Sequence, residues 1–395
     1  MGCTTSESPV ELYPPGERII LLRDGVEAIP AMLKAIRSSR REVVLEMYWL
    51  DSSVVGRVVV AELTARAKAG VAVYLLYDAI GSLGVGATLY DELLAAGARV
   101  LEYNPIAPWR RRFRLGRVSH RDHRKMLVVD ERVAFVGGLN LGLPWVCTDE
   151  GGGGWRDDVA MVAGPAAGRV RSLFFETWAK QGGECPKNLR VFTSRERVEA
   201  AREELGVSPM SRAQPHVAVL GHDAWGARWA IRRAYLTRIR SAERRVLIAN
   251  SYFIPDMRVK RALKYAAQRG VEVRVIVPGE SDVPAAKYAT EWLYTDLIGA
   301  GIHIHEWTPG ILHSKTLLVD DWATTGSYNL DYRSFRYNLE ANLASTDADF
   351  VASVEASMRK DLAESTREVD LAQWKKRPLF DKLRSWVFYL VRKMM

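Results

Sequence analysis

"HRKMLVVDERVAFVGGLNL" at residues 123–141 and "HSKTLLVDDWATTGSYNL" at 313–330 carry one pattern twice. Each sets a histidine two residues before a lysine, runs on through β-forming residues to an aspartate, and turns through small residues into an asparagine. Residues i and i+2 of a strand share a face, so His123 with Lys125, and His313 with Lys315, each present an imidazole beside an ammonium. The apolar runs "KMLVVD" and "KTLLVD" read as buried strands. Gly137, Gly138 and Gly326 permit close backbone approach in the turns, and Asn140 and Asn329 supply neutral donors.

The duplication extends outward. "EMYWLD" (46–51) resembles "NSYFIPD" (250–256), "AKAGVAVYLLYD" (67–78) resembles "AQRGVEVRVIVP" (267–278), and "LLAAGARVLEYNP" (93–105) resembles "LIGAGIHIHEWTP" (297–309). Tyr48 and Tyr252 differ by 204 positions, as do Gly97 and Gly301, whereas His123 and His313 differ by 190. The first copy therefore carries fourteen extra residues before its histidine, a loop holding Arg110, Arg111, Arg112, Arg114 and Arg117. Within each copy, β-rich runs such as "RVLIANSYF" alternate with helical patterns such as "VVAELTARAKAG" and "VKRALKYAAQRG", each closed by a glycine. The expected fold is α/β, with a mixed sheet flanked by helices in each of two pseudo-symmetric halves. The halves are placed at 15–182 and 214–362, joined by a linker at 183–213 and followed by a basic amphipathic tail at 363–395.

Composition bounds the function. At 395 residues and 48% hydrophobic content the chain can bury a large core, and its net charge of +9 implies an anionic partner without saying which. Cys3, Cys147 and Cys185 form no paired spacing, which speaks against a disulfide framework or a cysteine metal site. No apolar run is long enough to span a membrane, and the polar start lacks a signal-peptide core. That start matches the acylation pattern M-G-x-x-x-[ST] through Gly2 and Ser6, with Cys3 beside them, a pattern short enough to occur by chance.

Two imidazoles facing one another in a basic pocket suit phosphodiester exchange. One attacks phosphorus, and the other protonates the leaving oxygen and then deprotonates the incoming nucleophile. The cations hold the charge that a metal would otherwise neutralise. Each histidine needs a carboxylate on its second ring nitrogen, and Asp157 and Glu340 lie at comparable distances after His123 and His313.

The paired H-x-K-x4-D motifs, His123-Lys125-Asp130 and His313-Lys315-Asp320, resemble the HKD motifs of the phospholipase D superfamily. Through "RDHRKMLVVD", "WRDDVAMVAGP", "SYFIPD", "GVEVRVIVPGESD" and "GSYNLDYRSFRYNLE", residues 17–360 are most similar to bacterial cardiolipin synthases. The resemblance implies one active site between the halves, a phosphatidyl-histidine intermediate, and no metal or other cofactor. It implies phosphate binding by Lys125, Lys315, Asn140, Asn329 and Ser327, and structural roles for Asp130 and Asp320. His123 is the favoured nucleophile. The implied reaction joins two phosphatidylglycerol molecules into cardiolipin and releases glycerol. Water as acceptor would give a hydrolytic phospholipase D, and a nuclease or an inactive membrane-binding relative are the further alternatives; nucleic acid is not the expected partner. Many members begin with two transmembrane segments, a feature absent here, so a peripheral position on the cytoplasmic face of an anionic membrane is expected.

Two segments suit that surface. The inserted loop offers Trp109 and Phe113 beside Arg110, Arg111 and Arg112, with Arg121 close enough to add to the phosphate field. In "RPLFDKLRSWVFYLVRKMM", Leu379, Leu383, Trp386, Val387, Leu390, Val391 and Met394 form a stripe flanked by basic residues, which either lies in a membrane interface or docks on the protein's own core. His303 and His305 alternate along a strand without a third ligand and are read as structural.

Overall fold

The computed structural model describes residues 18–83, 85, 87–110, 112–187, 189, 217–222 and 229–393. Gly2, Cys3, Ser6, Arg111, Met394 and most of the expected linker lie outside the described residues.

Two mixed sheets stand side by side. The first contains β1 (Arg18–Arg23), β2 (Glu42–Met47), β3 (Ala72–Asp78), β4 (Arg99–Tyr103), β5 (Lys125–Val129), β6 (Val133–Gly137) and β7 (Asp158–Ala163). The second contains β8 (Val217–His222), β9 (Arg245–Asn250), β10 (Glu272–Glu280), β11 (His303–Ile311), β12 (Lys315–Val319), β13 (Trp322–Gly326), β14 (Glu340–Ser345) and β15 (Thr366–Glu368). Their orders are β1-β7-β6-β5-β2-β3-β4 and β8-β14-β13-β12-β9-β10-β11-β15, the same sequence with one extra edge strand. In each sheet three neighbours run parallel, β2-β3-β4 and β9-β10-β11, and the rest pair antiparallel.

Parallel neighbours need a crossover, and the helices Val54–Lys68 and Met257–Gln268 supply it. Asp256 caps the second of these by accepting the Arg258 amide at 2.7 Å. Gly70 and Gly270, at φ 85° and 88°, end both in the left-handed conformation that a side chain would resist.

The inner faces of the two sheets build one core. Val44, Met126, Val128 and Val136 from the first half meet Leu247, Ala249, Leu318 and Ala341 from the second. The helices that follow the last antiparallel strands are exchanged. Pro165–Lys180, after β7, packs on β8, and Ala348–Glu364, after β14, packs on β1. Each half thus covers an edge of the other, which ties the two sheets into one unit. The C-terminal segment is integrated as well, since β15 pairs antiparallel with β11.

Candidate active site

The motif aspartates hold the scaffold. Asp130 and Asp320 sit at φ 54° and 49°, in the turns after β5 and β12. The Asp130 carboxylate accepts the amides of Arg40, Arg41 and Glu42 at 2.7–2.9 Å. Asp320 does the same for Glu243, Arg244 and Arg245 at 2.9 Å. Each aspartate locks its turn to the loop entering β2 or β9, at the end of β5 or β12 opposite to the motif histidine.

Immediately before β5 and β12 the chain crosses between halves. Asp122 forms an isolated bridge with Leu339, and Leu312 forms one with Arg156. The His123 amide donates to the Leu339 carbonyl at 3.0 Å, and the His313 amide to the Arg156 carbonyl at 2.7 Å. The residues after those accepting carbonyls are Glu340 and Asp157, so the carboxylate partners are exchanged. Nδ1 of His123 lies 3.1 Å from both Glu340 oxygens, and Nδ1 of His313 lies 2.7 Å from Asp157 Oδ2. Spacing along the chain suggests pairing within each copy; the geometry corrects this, because the bridges deliver each carboxylate to the opposite histidine.

Different groups support the two carboxylates. Ser327 Oγ donates to Glu340 at 2.5 Å, whereas the Trp145 indole donates to Asp157 at 2.9 Å. The Ser327 hydroxyl is thus engaged by Glu340, and its expected contact with phosphate is not seen in this arrangement. At the matching place in the first half stands Gly138, where a Cβ would come within 2.2 Å of Asp157 Oδ1. A Cβ added at Gly137 or Gly326 would likewise come within 2.5 Å or 2.3 Å of a carbonyl on the neighbouring strand. These glycines admit protein and not phosphate.

A cleft of about 530 Å³ opens over the histidines. With both Nδ1 atoms engaged, the Nε2 atoms are left for chemistry. Asn140 Oδ1 accepts the Trp49 amide at 3.1 Å and Asn329 Oδ1 accepts the Ser251 hydroxyl at 2.8 Å, which turns both amide NH2 groups toward the cleft they line. Lys125 and Lys315 lie one layer deeper, fully buried, each with Nζ on the carbonyl of its own histidine. Lys125 also stands 5.0 Å from the centre of the Tyr48 ring.

Burial governs the charges. It pushes Lys125 down to about 7 and Lys315 to about 8, and it lowers both histidines, His313 further than His123, with the neighbouring lysines adding to the effect. Burial lifts Asp157 to about 6. Glu340 is also pushed up by burial, but His123, Lys125 and the Ser327 hydroxyl together outweigh it and hold the carboxyl below its usual range. Burial thus disfavours charge on the imidazoles and the lysines alike, a cost that a phosphodiester anion in the cleft would offset.

Several contributors were not legible in the motifs. Arg156 spans the halves, bonding Asp158 at 2.6 Å and Asp361 at 3.0 Å, while Asp158 accepts Ser314 and Thr316 hydroxyls at 2.6 Å. Trp145 and Trp155 pack on the His313 ring, and Tyr48 packs edge-on against His123. The matched positions of Tyr48 and Tyr252 were the available signal for the aromatic walls. Arg121 is corrected: it is buried on Asp78 at 3.4 Å and on the carbonyls of Asn104 and His120, so it serves the loop base and not the phosphate.

The surface segments separate. Trp109 is 84% exposed, Arg110 stands 3.9 Å from Glu102, Arg112 donates to the Gln181 carbonyl, and Phe113 is half-buried. The helix Leu379–Leu390 docks on the helix Pro284–Ile298 through Phe388 on Tyr288, Tyr389 on Trp292, and Ser385 on Glu291. Its apolar stripe points outward, with Leu379 83% and Trp386 41% exposed. The reading in which that stripe docks on the protein's own core is overturned. His303 pairs with Glu368 at 2.7 Å and His305 lies 3.2 Å from Arg274, and among the described residues no group of three or more His, Cys, Asp or Glu is placed to hold a metal. Nor, among them, is any helix long and apolar enough to cross a membrane.

The family model described as "Cardiolipin synthase, PLD-like domain" matches residues 32–144 and 235–362. A cardiolipin synthase of Geobacillus sp. (strain WCH70) is 32% identical over 375 residues, covering 94% of this chain and 71% of that protein. A probable cardiolipin synthase of Bacillus subtilis is 30% identical over 350 residues, covering 88% and 67%. Among solved structures, a phosphatidylserine synthase of Haemophilus influenzae matches with a TM-score of 0.71 at 15% identity over 95% of both chains. A polyphosphate kinase of Porphyromonas gingivalis matches with 0.56 at 13% identity, covering 95% of this chain and 53% of that one. At these identities the structural likenesses are of fold.

Proposed function

The chain belongs to the phospholipase D-like family of cardiolipin synthases, and from that premise we propose that His123 and His313 divide one phosphatidyl transfer between them. The enzyme is a transferase of the cardiolipin synthase type. The observation that carries the reading is the crossed pair of imidazoles, each with Nδ1 fixed on a buried carboxylate and Nε2 left for the same cleft.

In the first step His123 Nε2 attacks the phosphorus of a phosphatidylglycerol. The bond to the glycerol oxygen breaks, and the imidazolium form of His313, favoured by the bound phosphate charge, gives its Nε2 proton to that oxygen and becomes neutral. Glycerol leaves, and the phosphatidyl group stays on His123. In the second step the neutral His313 takes the proton of a glycerol hydroxyl on a second phosphatidylglycerol. The freed oxygen attacks phosphorus, the nitrogen–phosphorus bond breaks, and cardiolipin departs. The first nitrogen acquires positive charge on bonding phosphorus, and Glu340, the carboxylate held ionised, is the better partner for it; this favours His123 as nucleophile. Lys125 and Lys315 hold the phosphate charge from below, and the Asn140 and Asn329 amides contact it from the wall.

Peripheral attachment is part of this reading. The outward stripe of Leu379, Phe380, Leu383, Val387 and Leu390, with Lys382 and Arg384 beside it, supports seating in an anionic phospholipid surface. Mass spectrometry of lipids after incubation with phosphatidylglycerol vesicles tests the function. Cardiolipin formed by wild type and absent with His123→Ala and His313→Ala is the expected result. Phosphatidic acid as the main product would make the enzyme a hydrolase.

A further inference from the structure

The cleft is symmetric in its histidines and asymmetric in its walls. The loop after β3 contributes Ile80 and Leu83, and the corresponding loop after β10 contributes Asp282 and Val283. One rim is therefore apolar where the other carries a carboxylate. Asp282 is anchored, since the Tyr252 hydroxyl donates to its Oδ2 at 2.6 Å, and Tyr252 also lines the cleft. The charge of Asp282 is felt by His313 and Lys315, which places it on the proton-donating side of the reaction.

A carboxylate in a cleft built for an anion opposes phosphate, so its place there calls for a ligand with hydrogens to give. On the His313 side that ligand is the alcohol, both the one that leaves and the one that enters, because in-line exchange puts both at the same position. We propose that Asp282, positioned by Tyr252, is the residue that selects the acceptor alcohol, accepting hydrogen bonds from the free hydroxyls of a glycerol headgroup. The apolar Ile80–Leu83 rim then accommodates the diacylglycerol part of the retained phosphatidyl group. Lys315 lies on the same side of the cleft and disfavours a cationic amine there, so the ligand class is a neutral polyol. This inference rests on the transferase reading.

The test uses the full-length enzyme with phosphatidyl-p-nitrophenol in detergent as donor, so that loading requires no polyol. Equal concentrations of glycerol, 1-propanol and ethanolamine compete as acceptors, and the phosphatidyl products are compared by mass spectrometry. A product ratio does not depend on how much enzyme is active. Wild type is expected to favour glycerol over 1-propanol, and Asp282→Ala and Asp282→Asn to lower that ratio on the order of tenfold, the worth of one hydrogen bond to a charged group. Tyr252→Phe keeps the carboxylate but frees it, and is expected to lower the ratio by a few-fold. An unchanged ratio in both Asp282 variants overturns the proposal while leaving the transferase reading intact. A wild-type preference for ethanolamine that the Asp282 variants abolish overturns the polyol assignment. Transfer to water alone by wild type sinks the transferase reading and the proposal with it.

Discussion

The two halves present the same histidine–lysine pair on the same strand, yet surround the carboxylates differently. Glu340 reaches His123 with both oxygens at 3.1 Å and takes a serine hydroxyl. Asp157 reaches His313 with one oxygen at 2.7 Å and takes an indole N–H, with Trp145 and Trp155 walling the imidazole. Glu340 is held low and Asp157 is lifted to about 6. A duplicated motif is thereby given unequal surroundings by what packs behind it, and on the proposed mechanism this suits two chemically identical groups to different steps.

The sharpest way to break that comparison is to remove one histidine at a time. His123→Ala is expected to lose activity by roughly 10⁴-fold or more and to form no adduct with phosphatidyl-p-nitrophenol. His313→Ala is expected to lose turnover on phosphatidylglycerol by on the order of 10³-fold, yet still to load the nitrophenyl donor, whose leaving group needs no proton. Peptide mass mapping that found the adduct on His313 would reverse the roles.

Exchanging the supports comes next. Glu340→Gln and Asp157→Asn are each expected to lower kcat on the order of 10²-fold, by misorienting the imidazole. Ser327→Ala removes one of the contacts that hold Glu340 low, so the Glu340 carboxyl, followed by infrared difference spectra against Glu340→Gln, should titrate at higher pH, with a few-fold loss of kcat at neutral pH. An unmoved carboxyl titration would show that Ser327 does not tune Glu340.

The lysines affect stability and binding in opposite directions. The folded pKa of Lys315, about 8, lies below its ordinary 10.5, so the unfolded chain binds more protons between those values. This group's penalty on the fold is full below about pH 8 and fades as pH rises toward 10.5. Lys315→Met should abolish activity while stabilising the protein by roughly 1–3 kcal/mol at pH 7, a gain in Tm that shrinks at alkaline pH. In wild type, KM for lipid should rise as pH passes 7 to 8 and the ammonium groups discharge. A loss of Tm in Lys315→Met at pH 7 would contradict the burial argument.

The smallest effects belong to the surface. Leu383→Asp with Val387→Asp should weaken binding to anionic vesicles about tenfold while sparing a soluble short-chain substrate. Arg110→Gln with Arg112→Gln should weaken it by a few-fold, at low salt only. Salt-independent loss in the arginine variant would point to damage of the loop, where Arg112 holds the Gln181 carbonyl.

Much of this protein is set by its sequence alone. Four repeated blocks in one order require two like halves, and strand alternation, glycine-terminated helices and the H-x-K spacing fix the sheet and the reacting groups, because these are local periodicities of a few residues. The carboxylates Asp157 and Glu340 were legible as residues. Their assignment was not, because the bridges at Asp122–Leu339 and Arg156–Leu312 join segments that no local pattern relates. The same limit explains Ser327, to which the family resemblance gave a phosphate contact and which the pairing of β13 with β14 sets against Glu340. It explains Arg121, which looked like part of a basic mouth until Asp78 was brought beneath it. It also explains the C-terminal helix, whose periodicity marked an apolar face without saying which way that face would turn. Local pattern encodes what a residue can do, and pairing distant strands decides what it meets.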